Sequence, residues 1–160
     1  IQSLAGQFIP RAVAQRFKVN SGFPRVRLRI DFTLPLDLSS GRDTILLFVP
    51  PSPEESLTRL AERRTALYFP GFLPMNATVY FKAERGYNLT ADGKNEDTLN
   101  RFGRLHVRSE NVDDNFELEK QCFASPAVVQ PRLYPDFLRL ITRLKRFSSV
   151  RLEVSREPDS

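Results

Sequence analysis

The sequence contains one cysteine, one histidine and no tryptophan among its 160 residues. A single cysteine, Cys122, excludes an internal disulfide framework and any zinc or iron–sulfur site that needs several cysteines. Apolar runs are also short, and the longest, around residues 45 to 49, falls far below the roughly 20 residues that a membrane-spanning helix needs. The sequence therefore predicts no transmembrane span and no cysteine-bound metal.

Glycine is missing from the places where phosphate chemistry would need it. None of the seven glycines precedes a predicted helix in the way that a phosphate-binding loop requires. Gly41 precedes a strand, and the next predicted helix follows a run of prolines, which lack backbone N–H donors. We predict no nucleotide site and no cofactor.

Side chains for nucleophilic catalysis are equally few. His106 and Cys122 could form a dyad, because such partners meet in space and not in sequence. No nucleophile-elbow or cysteine-protease motif surrounds either residue, so a small buried thiol and a surface imidazole are the simpler interpretation. We predict no catalytic residues.

A cluster of acids, Asp113, Asp114, Glu117 and Glu119, has the oxygen ligands that Mg²⁺ or Ca²⁺ prefers. The two glutamates would share one face of a strand, and no calcium-loop pattern surrounds the group. We interpret these acids as a solvated turn and strand face, and predict no metal site.

Acidic residues are absent from the amino-terminal part of the chain. Residues 1 to 30 contain six basic residues and no acid, because the first acid is Asp31. Residues 31 to 130 contain 11 basic and 15 acidic residues, and residues 131 to 160 contain seven and four. The net charge of +5 therefore belongs to the two ends of the chain, while the middle is acidic.

The acid-free segment has the character of an organelle transit peptide, or of the first mature residues behind one. Its apolar residues Leu4, Phe8, Val13 and Phe17 recur at near-helical spacing. We interpret residues 1 to 22 as a basic N-terminal arm or short amphipathic helix that docks on a partner through these four residues. The composition favours a mitochondrial location, with the cytoplasm as the alternative.

Residues 23 to 155 have the pattern of one α+β domain, followed by a polar tail over residues 156 to 160. Alternation of apolar and polar residues is faultless over residues 25 to 34, which predicts a strand. Five more segments are predicted as strands: residues 44 to 49, 77 to 83, 101 to 108, 116 to 123 and 150 to 154. Residues 86 to 97 are predicted to be an exposed hairpin or a disordered loop.

Two segments predict helices. The first begins at Pro53, with Ser52 as its N-cap and two acids in its first turn. It would bury Leu57, Leu60, Ala61 and Leu67. The second begins at Pro135 and would bury Phe137, Leu138, Leu140, Ile141 and Leu144. The predicted fold is α+β, with a mostly antiparallel sheet of five to six strands, two packing helices and the basic N-terminal arm.

Arginine rows are the candidate binding surface. The residues concerned are Arg25, Arg27 and Arg29 on one strand face and Arg139, Arg143 and Arg146 on the outer face of the second helix. Guanidinium groups bind phosphates through paired hydrogen bonds, so these rows predict an anion or nucleic-acid contact. Arg104 and Arg108 would extend the first row across a sheet. Alternatively, the strand arginines protect a sheet edge from aggregation, and the helix arginines form the solvent-exposed face of the helix.

The sequence thus predicts a non-catalytic structural or accessory subunit, a protein–protein interaction module of a larger, mitochondrial assembly. The alternative is an RNA- or nucleic-acid-binding component that uses the arginine-rich face. An enzyme with an unfamiliar site is the third hypothesis. The predicted partners are other protein subunits, with nucleic acid as the alternative partner.

Overall fold

The structure, a computed structural model, describes residues 13–22, 25–91, 94–112 and 115–156. These residues form eleven strands, one α-helix and two 3₁₀ turns. The strands are β1 (Val13–Gly22), β2 (Arg25–Thr33), β3 (Arg42–Phe48), β4 (Leu67–Phe69), β5 (Phe72–Lys82), β6 (Tyr87–Ala91), β7 (Glu96–Asn100), β8 (Gly103–Val112), β9 (Asn115–Ala124), β10 (Ala127–Val129) and β11 (Ser149–Arg156). Helix α1 spans Tyr134–Arg146, and the 3₁₀ turns span Glu55–Leu57 and Pro131–Leu133.

These strands form four antiparallel sheets. The largest has the order β5-β9-β8-β7, and a second has the order β3-β11-β6. The pairs β1-β2 and β4-β10 form two-stranded sheets. The predicted α+β fold, with two helices on one sheet of five to six strands, is therefore wrong. The described part of the chain is mostly β, with four small sheets and one α-helix.

The helix predicted from Pro53 is replaced by the 3₁₀ turn Glu55–Leu57 and irregular backbone. The apolar stripe predicted for this helix is not buried as a unit. Leu60 is 49% exposed, and Leu67 belongs to β4. The hydroxyl of Tyr134 lies 3.0 Å from the carbonyl oxygen of Leu57 and 2.8 Å from that of Leu60, and its single hydrogen is shared between these two acceptors. Arg63 lies over the Tyr134 ring, 5.3 Å from its centre. Contacts with Tyr134 therefore use the carbonyl groups of Leu57 and Leu60, which would have accepted backbone hydrogen bonds in the predicted helix, and tertiary structure overrides the local helix signals.

Three other local predictions agree with the structure, whereas the exposed hairpin or disordered loop predicted over residues 86 to 97 is wrong, and so is a helix from Val13 onward. The alternating segment from residue 25 is β2, and the second predicted helix is α1. The two strands predicted around residues 101 to 123 form the hairpin of β8 and β9. Residues 86 to 97 contribute β6 and β7, which pair with different sheets. The amphipathic helix predicted over residues 4 to 17 is β1 from Val13 onward, and its earlier part lies outside the described residues.

Helix α1 covers one end of the largest sheet. Phe137 makes edge contacts with Phe69 and Phe102, at ring-centre distances of 5.1 and 5.5 Å. Leu140 and Leu144 are completely buried beside it. This apolar face accounts for the stability of the helix, because tertiary packing contributes more to a short helix than intrinsic propensity does.

A charged residue, Lys120 of β9, occupies the interior. Its side chain is completely buried, and its ammonium group donates to three backbone carbonyls, those of Val49 at 2.8 Å, Phe147 at 3.0 Å and Pro51 at 3.4 Å. An ammonium group has three N–H donors, so all three are used. Lys120 therefore joins the largest sheet to the end of β3 and to the carboxyl end of α1, where the helix dipole favours a cation.

Burial also changes the protonation of this lysine. Loss of water lowers the pKa of Lys120 from 10.5 to about 8, and Cys122, two residues further along β9, acts in the opposite direction. Burial likewise raises the pKa of the Cys122 thiol, against the effect of Lys120. The interior thus holds a cation whose charge is lost within the weakly alkaline range.

Replacing Lys120 with methionine should lower the free energy of unfolding by about 2 kcal/mol, because it leaves buried carbonyl oxygens without a donor. Methionine carries no charge, so the variant avoids the free-energy cost of burying an ammonium group, and this gain offsets part of the loss. Chemical denaturation at pH 7 measures the change. Lys145→Met, which removes an exposed lysine 3.9 Å from Glu55, is the control and should cost less than about 0.5 kcal/mol. A Lys120→Met variant as stable as the wild type would contradict this role.

Stability should also depend on pH through Lys120. Between pH 8 and 10.5 the unfolded chain holds the lysine proton and the folded chain has released it, so a rise in pH favours the folded state. The free energy of unfolding of the wild type, minus that of Lys120→Met, should rise across this window by up to about 3 kcal/mol. Denaturation at pH 7.5, 9 and 10 gives the difference. A flat difference rules out a depressed lysine pKa.

Candidate functional site

The amino-terminal hairpin, made of β1 and β2, is the first candidate site. Its strands pair from Gly22↔Arg25 at the tip to Val13↔Thr33 at the base, with a bulge between Ala14 and Arg16. In the described part of the chain they belong to no other sheet. Because side chains alternate between the two sides of a strand, the hairpin has two faces of different chemistry.

One face of the hairpin is cationic. Arg16, Lys18, Arg29 and Asp31 line a shallow surface hollow of about 600 Å³. Arg29 is paired with Asp31 at 3.0 Å, so the three cations outnumber the one carboxylate. Towards the tip, Arg27 pairs with Asn20 and Arg25 with Gly22 in the backbone register. The three arginines predicted on this strand are therefore at alternate positions of β2.

The other face carries an exposed apolar pair. Val19 and Leu28 are directly opposite each other in the register, and they are 49% and 42% exposed. Ile30, closer to the base, packs against the core of the protein. The hairpin is thus anchored at its base and presents apolar surface to solvent further out.

The predicted docking residues fall mostly at the limit of what the structure describes. Leu4 and Phe8 lie outside the described residues. Val13 and Phe17 lie on β1, where the backbone register pairs them with Thr33 and Ile30. A helical face shared by these residues is not formed, because the chain from Val13 onward is extended.

The helix arginines are engaged within the molecule. Arg139 lies 3.6 Å from Asp136, and both side chains are largely exposed. Arg143 donates to Glu96 of β7 at 2.6 Å, and the Glu96 side chain is only 13% exposed. Arg146 lies over the Phe147 ring, 5.7 Å from its centre. None of the three lines the hollow on the hairpin, so the arginine rows are separate features.

The predicted extension of the strand arginines by Arg104 and Arg108 is wrong. Both lie on β8 in the largest sheet, which does not include the hairpin. Arg104 lies 3.5 Å from Asp97, and Arg108 lies 3.0 Å from Glu110. Carboxylates of the acidic middle segment therefore neutralise these two arginines locally.

His106 and Cys122 lie on opposite faces of the largest sheet. In the register His106 is opposite Gln121, while Cys122 is opposite the buried Leu105. The imidazole Nδ1 lies 3.7 Å from Asp97 on the outer face, and the thiol is buried. A dyad between them is excluded by this geometry. Of the simpler interpretation, a small buried thiol and a surface imidazole, the structure bears out the thiol, whereas the imidazole is half-buried on the outer face, with its side chain 33% exposed.

Glu117 and Glu119 of β9 also lie on the outer face, opposite Glu110 and Arg108. Asp113 and Asp114 lie outside the described residues. Within the described ranges no group of three or more potential metal-binding side chains is found, and no helix there is both long and apolar enough to cross a membrane.

The second candidate is a cavity of about 880 Å³ at the base of the hairpin. Ile30 and Leu34 line it on the hairpin side, and Phe81, Leu89 and Val154 line it on the side of the core. Its volume is that of a small-molecule pocket, and its lining combines these apolar side chains with polar and charged ones.

Sequence reasoning missed this cavity. The signal was present in Leu34, Leu36 and Leu38, which continue the apolar alternation past the end of β2 and line the cavity. Arg156 was assigned to the polar tail, whereas it is the last residue of β11 and also lines the cavity. In the sequence the leucines follow a strand that Pro35 ends, and Arg156 begins a polar tail. Only the fold shows that both line the same cavity.

Comparison of the chain with protein-family models, with curated proteins and with solved structures gives no match. The functional argument therefore depends on the hairpin and the cavity themselves.

Arg143 should be needed for stability, unlike Arg139. Arg143→Gln leaves the poorly exposed Glu96 carboxylate without its cation and should lower the free energy of unfolding by about 1–2 kcal/mol. Arg139→Gln loses only an exposed pair and should cost less than about 0.5 kcal/mol. Denaturant unfolding of the two variants decides the matter, and equal costs would show that the contact with Glu96 has no special role.

Proposed function

We propose that this protein is a non-catalytic subunit of a larger assembly, and that it docks on a protein partner through the apolar face of the amino-terminal hairpin. The observation that carries the proposal is the exposed cross-strand pair of Val19 and Leu28. These residues lie on a ribbon that belongs to no larger sheet in the described part of the chain.

A two-stranded ribbon of this kind is marginally stable in water by itself. Among the described residues no third strand pairs with it, so in that part of the chain both of its edges present unpaired backbone N–H and C=O groups. A partner that covers the apolar pair, or that adds a strand to an edge, removes this weakness. The hairpin therefore has the properties of a surface that becomes ordered on assembly.

The cationic face suggests the charge of the partner. Arg16, Lys18 and Arg29 outnumber Asp31 on the solvent side of the hairpin, so carboxylates on the partner would accelerate the encounter and fix its orientation. A mitochondrial location forms part of the proposal, because residues 1 to 30 contain basic residues and no acid, a composition found in organelle-targeted segments.

Nucleic-acid binding is the second candidate function. The cationic face favours it, because the major groove of B-DNA admits a two-stranded ribbon and cations along such a ribbon can contact phosphates. The exposed apolar pair on the other face would have no role in that contact. The pairing of Arg139, Arg143, Arg104 and Arg108 with carboxylates further reduces the free cationic surface.

Removal of the apolar pair should release the partner. The tagged protein is purified with its partners from its own cells, and the Val19→Gln, Leu28→Gln double variant is compared with Val112→Gln, Leu99→Gln. The control pair is 50% and 72% exposed on other strands. We expect recovery of the partner to fall at least tenfold for the first pair and to stay unchanged for the second.

Two outcomes would contradict the proposal. The first is a monomeric native protein with no stable partner. The second is binding to generic RNA or DNA whose affinity falls linearly with the logarithm of salt concentration and is lost in Arg25→Ala, Arg27→Ala, Arg29→Ala, while the apolar double variant binds normally. That second result would support the nucleic-acid function instead.

A further inference from the structure

We propose that the cavity at the base of the hairpin binds a long-chain carboxylate, with its aliphatic chain between the apolar walls and its carboxylate at Arg156. This binding site is distinct from the docking face of the hairpin. Its test uses the purified chain without a partner, so the two proposals can fail independently.

The floor of the cavity is made of apolar side chains packed into the core. Ile45, Phe81, Leu89 and Val154 line it, and each is at most 7% exposed. These four side chains come from three core strands and from β5, so the sheets hold them in place. An unbranched aliphatic chain that moves from water into this part of the cavity gains free energy by burying apolar surface and needs no hydrogen bond.

The opposite wall is formed by the segment that follows the hairpin. Leu34, Leu36 and Leu38 line the cavity and alternate with polar or proline residues along the segment. Leu34 and Leu36 also pack against the core. The cavity therefore lies between a packed floor and a leucine-lined wall, which gives an aliphatic chain apolar contacts on two sides.

Arg156, the last residue of β11, lines the cavity and is exposed to solvent. In the pairing of β11 with β6, Val154 is opposite Leu89, and two residues further on Arg156 is opposite Tyr87. The first pair is a buried apolar pair, so alternation places the second on the same face. The apolar row of the core thus ends in a guanidinium group and a phenol, both of which line the cavity.

This combination matches a carboxylate. A guanidinium group presents paired N–H donors that fit the two oxygens of a carboxylate, and the Tyr87 hydroxyl can donate one more hydrogen bond. The ligand would then have its charge at the solvent side and its chain towards the core.

The other charged residues that line the cavity favour a single negative charge on the ligand. Asp31 is paired with Arg29 at 3.0 Å. Lys82 and Glu84, which also line the cavity, balance each other in charge. Arg156 therefore supplies the net positive charge, which is enough for a carboxylate and less than a phosphate group would need.

Fluorescence titration with a dansyl-labelled undecanoic acid tests the site, with unlabelled dodecanoate as competitor. We expect saturable binding that Arg156→Gln weakens about tenfold or more. The matched control is Arg151→Gln, an exposed arginine on the same strand that is opposite Leu46 and does not line the cavity. Dodecanol should compete much less well than dodecanoate, because it lacks the charge.

A second variant tests the apolar part. Ala83→Trp places a large ring at a partly buried wall position and should abolish binding, with circular dichroism and the unfolding midpoint showing that the chain still folds. Absence of saturable binding, equal losses in Arg156→Gln and Arg151→Gln, or equal competition by dodecanol would each overturn the proposal. Hydrogen-exchange protection of the cavity by a protein partner, with no binding of the labelled acid, would show that a polypeptide occupies this space.

Discussion

The interaction on which the structure depends most is the buried contact of the Lys120 ammonium group with three backbone carbonyls. Val49 and Pro51 follow β3, and Phe147 follows α1. A buried charge is costly unless hydrogen bonds satisfy it, and here all three donors have an acceptor. The cost of burial therefore makes this one arrangement of the sheet, the strand end and the helix end far more favourable than others.

The position of the cavity follows from this arrangement. Strand β11 begins at Ser149, next to the Phe147 carbonyl that Lys120 binds, and it pairs there with Phe48 of β3. It ends at Arg156, opposite Tyr87. The same sheet thus has the lysine contact at one end and the cavity residue Arg156 at the other. The hairpin, which joins the body through Ile30 and the following leucines, lines one side of the cavity and presents the apolar pair outward.

Local patterns in the sequence predicted those elements that a buried apolar row defines. The alternation from residue 25 and the apolar face of α1 are strong signals of this kind, and both elements exist. The helix from Pro53 failed although its N-terminal signals agreed, because Tyr134 engages the carbonyls of Leu57 and Leu60 from a distant part of the chain. Lys120 is in phase with Phe116, Leu118 and Cys122 on β9, so the alternation placed it on the inward face. Its partners could not be predicted, because the three carbonyls come from distant parts of the chain.

The sites follow the same rule. The sequence predicted the row of arginines on β2. It did not predict that β2 belongs to a separate two-stranded hairpin and not to the largest sheet. The cavity depends on residues from five segments, and Arg156 acquires its meaning only when Val154 is placed opposite Leu89. A site whose residues come together only through the pairing of distant strands cannot be predicted from the spacing of residues along one segment.

Amide hydrogen exchange, measured on the free protein and on the complex purified from its own cells, tests the central claim most directly. The account expects the amides of the outer half of the hairpin, around Val19 and Leu28, to exchange rapidly in the free protein and to become protected in the complex. Amides of β9 around Lys120 should be protected in both. Hairpin amides that exchange equally in the two samples would contradict the claim that this hairpin is the docking element.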